Sequence, residues 1–334
     1  AQQMTLYDLF YCQIENLQQL ISRVLREGSL PSETHYIKTK DNRIVEIESI
    51  VSLIYYRGKK LGLITLRDLS NERKLQQAIQ KEITLASVLQ QGMLPPDSCK
   101  ATAEIKKIYK SYHQVSGDFL SYKWIKNDTV LRGYVLDVTG HGLSAALQTS
   151  AIAALLNGLM EQASLTRAEL EILNKQVSPY FSEDSFAAII IFEMDFKAQT
   201  LTYASGGINK FLASSRLLNG CVKIPGMYLG IWDDPEFNVT TVPIQPGDTF
   251  YFLSDGITEM MPENIYEHLD DFNATVNILT EIADDKVRWD DCTALCVKVH
   301  GQIRFPIIFE FYEQQELRCL RSRIRRILRE LTEV

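Results

Sequence analysis

The 334-residue sequence lacks an apolar run long enough to cross a membrane, and its first residues do not have the pattern of a signal peptide. Basic residues are not in excess: 35 Lys and Arg stand against 42 Asp and Glu, and the resulting charge of −7 argues against nucleic acid as a main partner. The six cysteines include no metal-type Cys-x-x-Cys pair, so reduced thiols and a cytoplasmic location are expected. Cys292 and Cys296 have the spacing of small apolar residues buried on one side of a strand.

What the sequence does contain is a stretch, Gly133 to Met160, in which a strand, a tight loop and a helix follow one another. The run Tyr134-Val135-Leu136 is aromatic and β-branched, which favours a strand, and it ends at one carboxylate, Asp137. The loop after it, Thr139-Gly140-His141-Gly142, contains two glycines that permit unusual backbone angles. A helix rich in small residues is predicted over Leu143–Glu161. This arrangement places one acid at a strand end beside a loop that can approach an ion.

Three further places show a carboxylate at a strand edge. Asp118 lies in VSGDF, Asp255 lies in TFYFLSDGITE, and Asp290 and Asp291 precede the apolar run of WDDCTALCVKV. Acids that the fold brings together repel one another unless a cation lies between them. Because hard divalent cations prefer oxygen ligands, an all-Asp set indicates Mg2+ or Mn2+.

The order SGDF, DVTGHG, SDGITE and DDCT resembles the metal-dependent protein serine/threonine phosphatases of the PPM type, and more narrowly their SpoIIE/RsbU-like bacterial branch. The resemblance covers roughly residues 97–300. The predicted strands of this region are Ala103–Tyr112, Phe119–Lys126, Val130–Leu136, Phe186–Phe192, Thr200–Ala204, Phe211–Ala213, Thr249–Leu253 and Thr293–Val299, and a surface helix is predicted over Asp270–Ala283. These strands form two clusters with helices between them, which indicates an α/β/β/α layered sandwich within a chain of the α+β class. The resemblance implies a phosphoserine/phosphothreonine phosphatase of a bacterial stress-response pathway, acting on a small regulator such as an anti-anti-sigma factor.

The resemblance also implies a metal site with two divalent cations, Mn2+ or Mg2+. Asp137 would bridge both ions, and the carbonyl of Val138 would join it at the second ion. Asp118 would serve the second ion, and Asp255 and Asp290 would complete the first. In this family a water held between the ions attacks phosphorus, which is consistent with the way two cations activate water and neutralise phosphoryl charge.

Other residues near these motifs remain open to two interpretations. His141 is either a general acid for the departing alkoxide or a loop histidine between glycines. Asp291 is either part of the metal site or an acid that begins a strand. The segment SGGINK has Ile208 where the branch often has histidine, and no arginine lies at an obvious phosphate-binding position near Asp118.

The N-terminal residues predict a separate sensor and a connector. Residues 1–70 contain a helix and three strand-like runs, and they resemble the C-terminal portion of a PAS-like domain; the alternative is a small α+β domain without a ligand. Residues 71–96 form a predicted helical linker with an imperfect heptad seam that includes Ile79 and Leu89. This linker either makes a coiled coil in a homodimer or packs on the phosphatase domain.

Residues 301–334 predict one more strand and an arginine-rich helix. Three interpretations are open: a helix that dimerises or packs on the protein, the start of a truncated domain like the anti-sigma kinases, or a surface that binds an acidic partner. Two alternatives to a protein phosphatase also stay open. A phosphatase fold can act as a non-catalytic signalling module, and a related enzyme can hydrolyse small phosphoesters.

Overall fold

The computed structural model describes residues 17–39, 43–140, 142–161, 165, 167–181 and 185–300. The chain divides into two compact units between Met93 and Leu94. The predicted C-terminal strand and helix in 301–334 lie outside the described residues. No helix in the described part of the chain combines the length and apolar character that a membrane crossing requires.

The N-terminal unit is a helix, an antiparallel three-stranded sheet in the order β1-β2-β3, and a long helix. Its elements are α1 (Leu17–Glu27), β1 (Glu33–Lys38), β2 (Ile44–Tyr56), β3 (Lys59–Asp68) and α2 (Ser70–Gly92).

The small core of this unit contains Val24, Leu30 and Ile47. A two-pronged ion pair joins α2 to β2, with Arg73 Nε and Nη2 each 2.9 Å from a carboxylate oxygen of Glu46. The predicted helix and three strands are therefore present, and a three-stranded sheet of this kind does not by itself identify a PAS domain.

The C-terminal unit contains two antiparallel sheets, one of six strands in the order β11-β10-β13-β14-β5-β4 and one of five in the order β12-β9-β8-β7-β6. The strands of the first sheet are β4 (Ser98–Cys99), β5 (Ala103–Lys110), β10 (Lys210–Ser214), β11 (Asn219–Lys223), β13 (Thr249–Leu253) and β14 (Cys292–Val299). Those of the second are β6 (Asp118–Ile125), β7 (Val130–Val138), β8 (Ala187–Asp195), β9 (Thr200–Gly206) and β12 (Val239–Pro243).

The two sheets pack face to face, and helices cover their outer faces. Between the sheets the rings of Phe192 and Phe252 stack with centroids 4.0 Å apart. Helices α3 (Leu143–Leu159) and α4 (Arg167–Val177) pack on the five-stranded sheet. After a short helix α5 (Asp255–Thr258), helix α6 (Phe272–Asp284) packs on the six-stranded sheet. The sheet-rich layered α/β fold expected from the sequence is confirmed.

Details of this unit differ from the sequence-based expectations. Strands β4, β11 and β12 were not predicted. The expected surface helix over Asp270–Ala283 begins instead at Phe272, because Asp271 caps it by accepting hydrogen bonds from two backbone N–H groups. Its inner face is buried, so it is part of the core. Cys292 and Cys296 are fully buried, as their spacing predicts.

Candidate active site

The pairing of β6 with β7 places two of the predicted acids opposite each other. Asp118, the first residue of β6, is in register with Asp137, the penultimate residue of β7. Asp118 is only 2% exposed, and its Oδ2 has no hydrogen-bond partner. Burying a carboxylate oxygen in this way is unfavourable in free energy, because the oxygen has lost its hydration without gaining a hydrogen-bond partner.

Gly117 connects the start of β6 to three other elements. Its N–H donates to Asp291 Oδ2 at 2.7 Å, and its carbonyl accepts from Val138 N at 3.2 Å and from Thr149 Oγ1 at 2.6 Å. A Cβ at this position would lie 2.8 Å from the carbonyl oxygen of Val138. The glycine of the SGDF motif therefore permits a close backbone approach that fixes Asp118 beside the end of β7.

A second close approach joins the SDG and DDCT motifs. Ser254 N donates to the carbonyl of Thr293 at 2.9 Å, and Thr293 N donates to Ser254 Oγ at 3.0 Å. A Cβ on Gly256 would lie 2.0 Å from the carbonyl oxygen of Asp291. Asp255, between Ser254 and Gly256, is thereby held next to the residues that precede β14.

The electrostatics confirm that these carboxyl groups are neighbours. Burial, followed by the charges of Asp137 and Asp291, raises the pKa of Asp118 well above its usual range. Burial, followed by the charges of Asp255 and Asp290, raises the pKa of Asp137 to about 7. The pKa of Asp255 is also raised, by partial burial and by Asp290. The acids thus hinder one another's ionisation, as they do in sites that a cation stabilises.

The residues fit a hard divalent cation in donor type, and one of them, Asp118, has a buried carboxylate oxygen without a partner. The partnerless Asp118 Oδ2 lies at the buried end, whereas Asp255 and Asp290 are exposed at the rim. Among the described residues, no three Asp, Glu, His or Cys side chains converge closely enough to form a complete cation site. The carboxylates therefore lie within electrostatic range of one another, and ligation of a shared cation would require them to move closer together.

Asp291 has a different role from its neighbour. Its side chain is 6% exposed, and both carboxylate oxygens accept backbone hydrogen bonds, Oδ1 from Tyr112 N at 2.6 Å and Oδ2 from Gly117 N at 2.7 Å. It holds the loop that precedes Asp118 against the start of β14. His141 lies outside the described residues.

A cavity of about 340 Å3 opens beside Asp137 and Asp255. The SGGINK segment supplies one side of it through the stretch from Gly207 to Lys210, and Tyr228 and Glu259 contribute elsewhere. Lys210, Tyr228 and Glu259 were not among the site residues expected from the sequence. The SGGINK segment departs from the family pattern, and it lines the same cavity as Asp137 and Asp255.

Comparison with known proteins gives the same assignment for this unit. The family model "Stage II sporulation protein E (SpoIIE)" matches residues 127–300. The chain is 29% identical over 195 residues to phosphoserine phosphatase RsbU of Bacillus subtilis, and the aligned region covers 58% of each protein. It is 23% identical over 189 residues to phosphoserine phosphatase RsbP of the same organism, over 54% of this chain and 46% of RsbP. The chain thus spans about half the length of these curated relatives.

Solved structures share the fold. The RsbU and RsbW domains of Rv1364c from Mycobacterium tuberculosis match with a TM-score of 0.53 and 20% identity, over 71% of this chain and 70% of that one. The SiaA-PP2C domain of Pseudomonas aeruginosa matches with a TM-score of 0.53 and 21% identity, over 67% of this chain and 98% of that domain. Fold, motif order and the family match agree: the chain belongs to the SpoIIE family of PP2C-fold proteins.

Proposed function

We propose that this protein is a metal-dependent phosphatase that hydrolyses phosphoserine or phosphothreonine in a regulatory protein, of the anti-anti-sigma type. One observation carries the proposal. Asp118 and Asp137 lie opposite each other in register, and the charges of Asp255 and Asp290 act directly on Asp137. Clustering four acids is unfavourable without a cation, so their convergence at one sheet end supports a metal-dependent reaction. The names of the two curated relatives support phosphoserine as the substrate class.

We assign the ligand roles as follows. Asp137 would serve both of two Mn2+ or Mg2+ ions, the buried Asp118 would serve one of them, and the exposed Asp255 and Asp290 would serve the other. The carbonyl of Val138 is the proposed fifth donor. When bound, the ions would activate a water molecule and neutralise charge on the phosphoryl oxygens.

The chain itself supplies the rigidity that such a site needs. Asp291 fixes the loop before Asp118, and the glycine contacts fix the backbone on both sides of the cavity. A proton for the leaving alkoxide is assigned to His141 only as a proposal, on the basis of its sequence position after Asp137.

The proposal is tested by hydrolysis of p-nitrophenyl phosphate with Mn2+, with Mg2+ and with EDTA. We expect metal-dependent turnover that Asp137→Ala abolishes, together with weaker metal binding and an unchanged fold. Asp195→Ala is the matched control, because this acid ends β8 in an ordinary turn, where its carboxylate accepts from Lys197 N and Ala198 N. Full turnover in the Asp137 variant would refute the assignment of Asp137 to the metal site. Absence of turnover in every sample would favour the alternative of a non-catalytic signalling module.

We further propose that the N-terminal unit is a PAS-like sensor that regulates the phosphatase through α2, and that α2 dimerises. Its apolar residues Ile79 and Leu89 are 48% and 62% exposed, which leaves them available to a second copy of the chain. Replacing both with glutamate should shift the protein from dimer to monomer in sedimentation and change turnover. If oligomeric state and turnover both stay constant, α2 is not the coupling element.

A further inference from the structure

Lys210 occupies an unusual electrostatic position. It begins β10 and lines the cavity of about 340 Å3 next to Asp137 and Asp255. The other charged residues among the described cavity-lining residues are acids, the two named and Glu259. Lys210 is therefore the one basic residue that the described part of the chain contributes to the cavity lining.

The ammonium of Lys210 is not used in an ion pair with any described residue. No described carboxylate lies within ion-pair distance of it, although three acids line the same cavity. Some other lysines of this unit do form ion pairs: Lys110 pairs with Asp284 at 2.6 Å, and Lys123 pairs with Glu161. A half-buried lysine beside acids that it does not contact is available to an external anion.

The backbone that leads into Lys210 is fixed. Gly207 has a φ of +109°, and a Cβ there would lie 2.4 Å from Cδ1 of Tyr228, so the tyrosine ring lies directly on this glycine. Ile208 is 8% exposed, and the carbonyl of Asn209 accepts from Ile224 N at 2.7 Å. The side chain of Lys210 therefore extends from a rigid base, as a positioning group requires.

A phosphomonoester carries about −1.5 to −2 charges at pH 7, and the acids of this cavity would repel it unless cations compensate them. The sequence has no arginine at an obvious phosphate-binding position near Asp118. We propose that Lys210 binds a phosphoryl oxygen of the substrate and orients the phosphoryl group toward the Asp137 side of the cavity. This inference rests on the proposed function, and it assigns to the SGGINK segment a part in substrate binding.

The direct test measures binding of inorganic phosphate to the Mn2+-loaded protein by calorimetry. Lys210→Met should weaken phosphate binding about tenfold, which corresponds to about 1.4 kcal/mol. Lys210→Arg should stay within about threefold of the wild type, because it keeps the positive charge. Lys223→Met is the matched control: it removes the same charge from the residue directly opposite Lys210 on β11, which does not line the cavity.

Kinetics with p-nitrophenyl phosphate and with a phosphoserine peptide give a second readout. We expect Lys210→Met to raise KM for both substrates about tenfold, with equal Mn2+ stoichiometry and an unchanged melting temperature. An effect on the peptide alone, with normal inorganic phosphate binding, would show that Lys210 contacts another part of the substrate and would overturn the inference. If Lys223→Met raised KM equally, the effect of Lys210 would be that of any nearby positive charge, and this result would also overturn the inference.

The outcomes separate this inference from the proposed function. Metal-dependent turnover that Lys210→Met leaves unchanged refutes the inference and keeps the phosphatase. Phosphate binding that depends on Lys210, in a protein without turnover, keeps the inference and refutes the phosphatase. A wild-type protein that binds no phosphate refutes the inference directly.

Discussion

Replacing Asp291 with alanine should destabilise the protein, whereas replacing its neighbour Asp290 should not. Asp291 accepts two backbone hydrogen bonds, from Gly117 N at 2.7 Å and from Tyr112 N at 2.6 Å, and its side chain is buried. Asp290 is exposed, and its charge raises the pKa of Asp137. The first substitution removes support from the loop, and the second removes a repulsive charge.

The magnitude follows from the fate of the two N–H groups. Gly117 is buried, so its N–H loses a charge-assisted bond with no replacement, at a cost of about 2–3 kcal/mol. Tyr112 is exposed, so water can replace the carboxylate, and the cost there is about 0.5–1 kcal/mol. Removing the charge of Asp291 recovers some of this free energy, because that charge disfavours the ionisation of Asp118. We expect a net loss of about 3 kcal/mol.

The assay is thermal unfolding of the metal-free protein in EDTA, followed by circular dichroism. A loss of about 3 kcal/mol should lower the melting temperature of the C-terminal unit by about 6–12 °C. Asp290→Ala should melt within about 2 °C of the wild type and yet lose metal-dependent turnover. Equal melting of the two variants, or a larger loss for Asp290→Ala, would refute the assignment of Asp291 as the loop support and Asp290 as the ligand.

Three more perturbations probe the same unit. Burial and like charges raise the pKa of Asp137 to about 7. The contribution of this group to the stability of the metal-free protein is therefore fully present below the unfolded-state pKa of about 4 and is lost as pH rises toward 7. A melting series over this pH range should show the fall, and Mn2+ should reverse it. Arg132→Ala leaves the half-buried Glu193 without its buried partner and removes the hydrogen bond from Arg132 Nη1 to the carbonyl of Leu159, so urea unfolding should show a loss of about 3–5 kcal/mol; a loss below about 1 kcal/mol would contradict this. Gly256→Ala places a Cβ 2.0 Å from the carbonyl of Asp291, so it should cost about 1–3 kcal/mol in the same assay and lower turnover, and wild-type behaviour in both would contradict the close approach.

Much of the fold was predictable because the central strands have a strong apolar pattern. Strand β13 occupies the five residues predicted, and all five are buried. The missed strands β11 and β12 lie at the outer edges of their sheets. Each contains a residue that weakens the strand pattern, Gly220 in β11 and Pro243 in β12, and edge strands tolerate both because half of their backbone groups need no partner.

The candidate site was predictable in part for a similar reason. Acids that follow or precede buried strands lie at a sheet end, so the neighbourhood of Asp118 and Asp137 follows from strand direction and pairing. The family resemblance named Asp290 as a ligand and left Asp291 open; the support that Asp291 gives to the loop could not be predicted, because adjacent residues of one type differ only in which backbone groups they meet. Lys210 was missed for another reason. It lies on the six-stranded sheet, whereas Asp118 and Asp137 lie on the five-stranded sheet, and no periodicity in the sequence relates residues of the two sheets.

The glycines beside the acids explain why these motifs are more than isolated carboxylates. Gly117 precedes Asp118 and Gly256 follows Asp255, and in each case the absence of a Cβ lets one motif contact the backbone of another. The separation of the acids is therefore set by main-chain contacts between motifs, and the side chains need no packing of their own to hold them together. Such a backbone frame can keep mutually repelling carboxylates close before any cation binds, and the raised pKa values of Asp118 and Asp137 are the consequence. It follows that a glycine substitution should damage metal binding while every proposed ligand is still present, which distinguishes a backbone-built site from one that its ligands assemble.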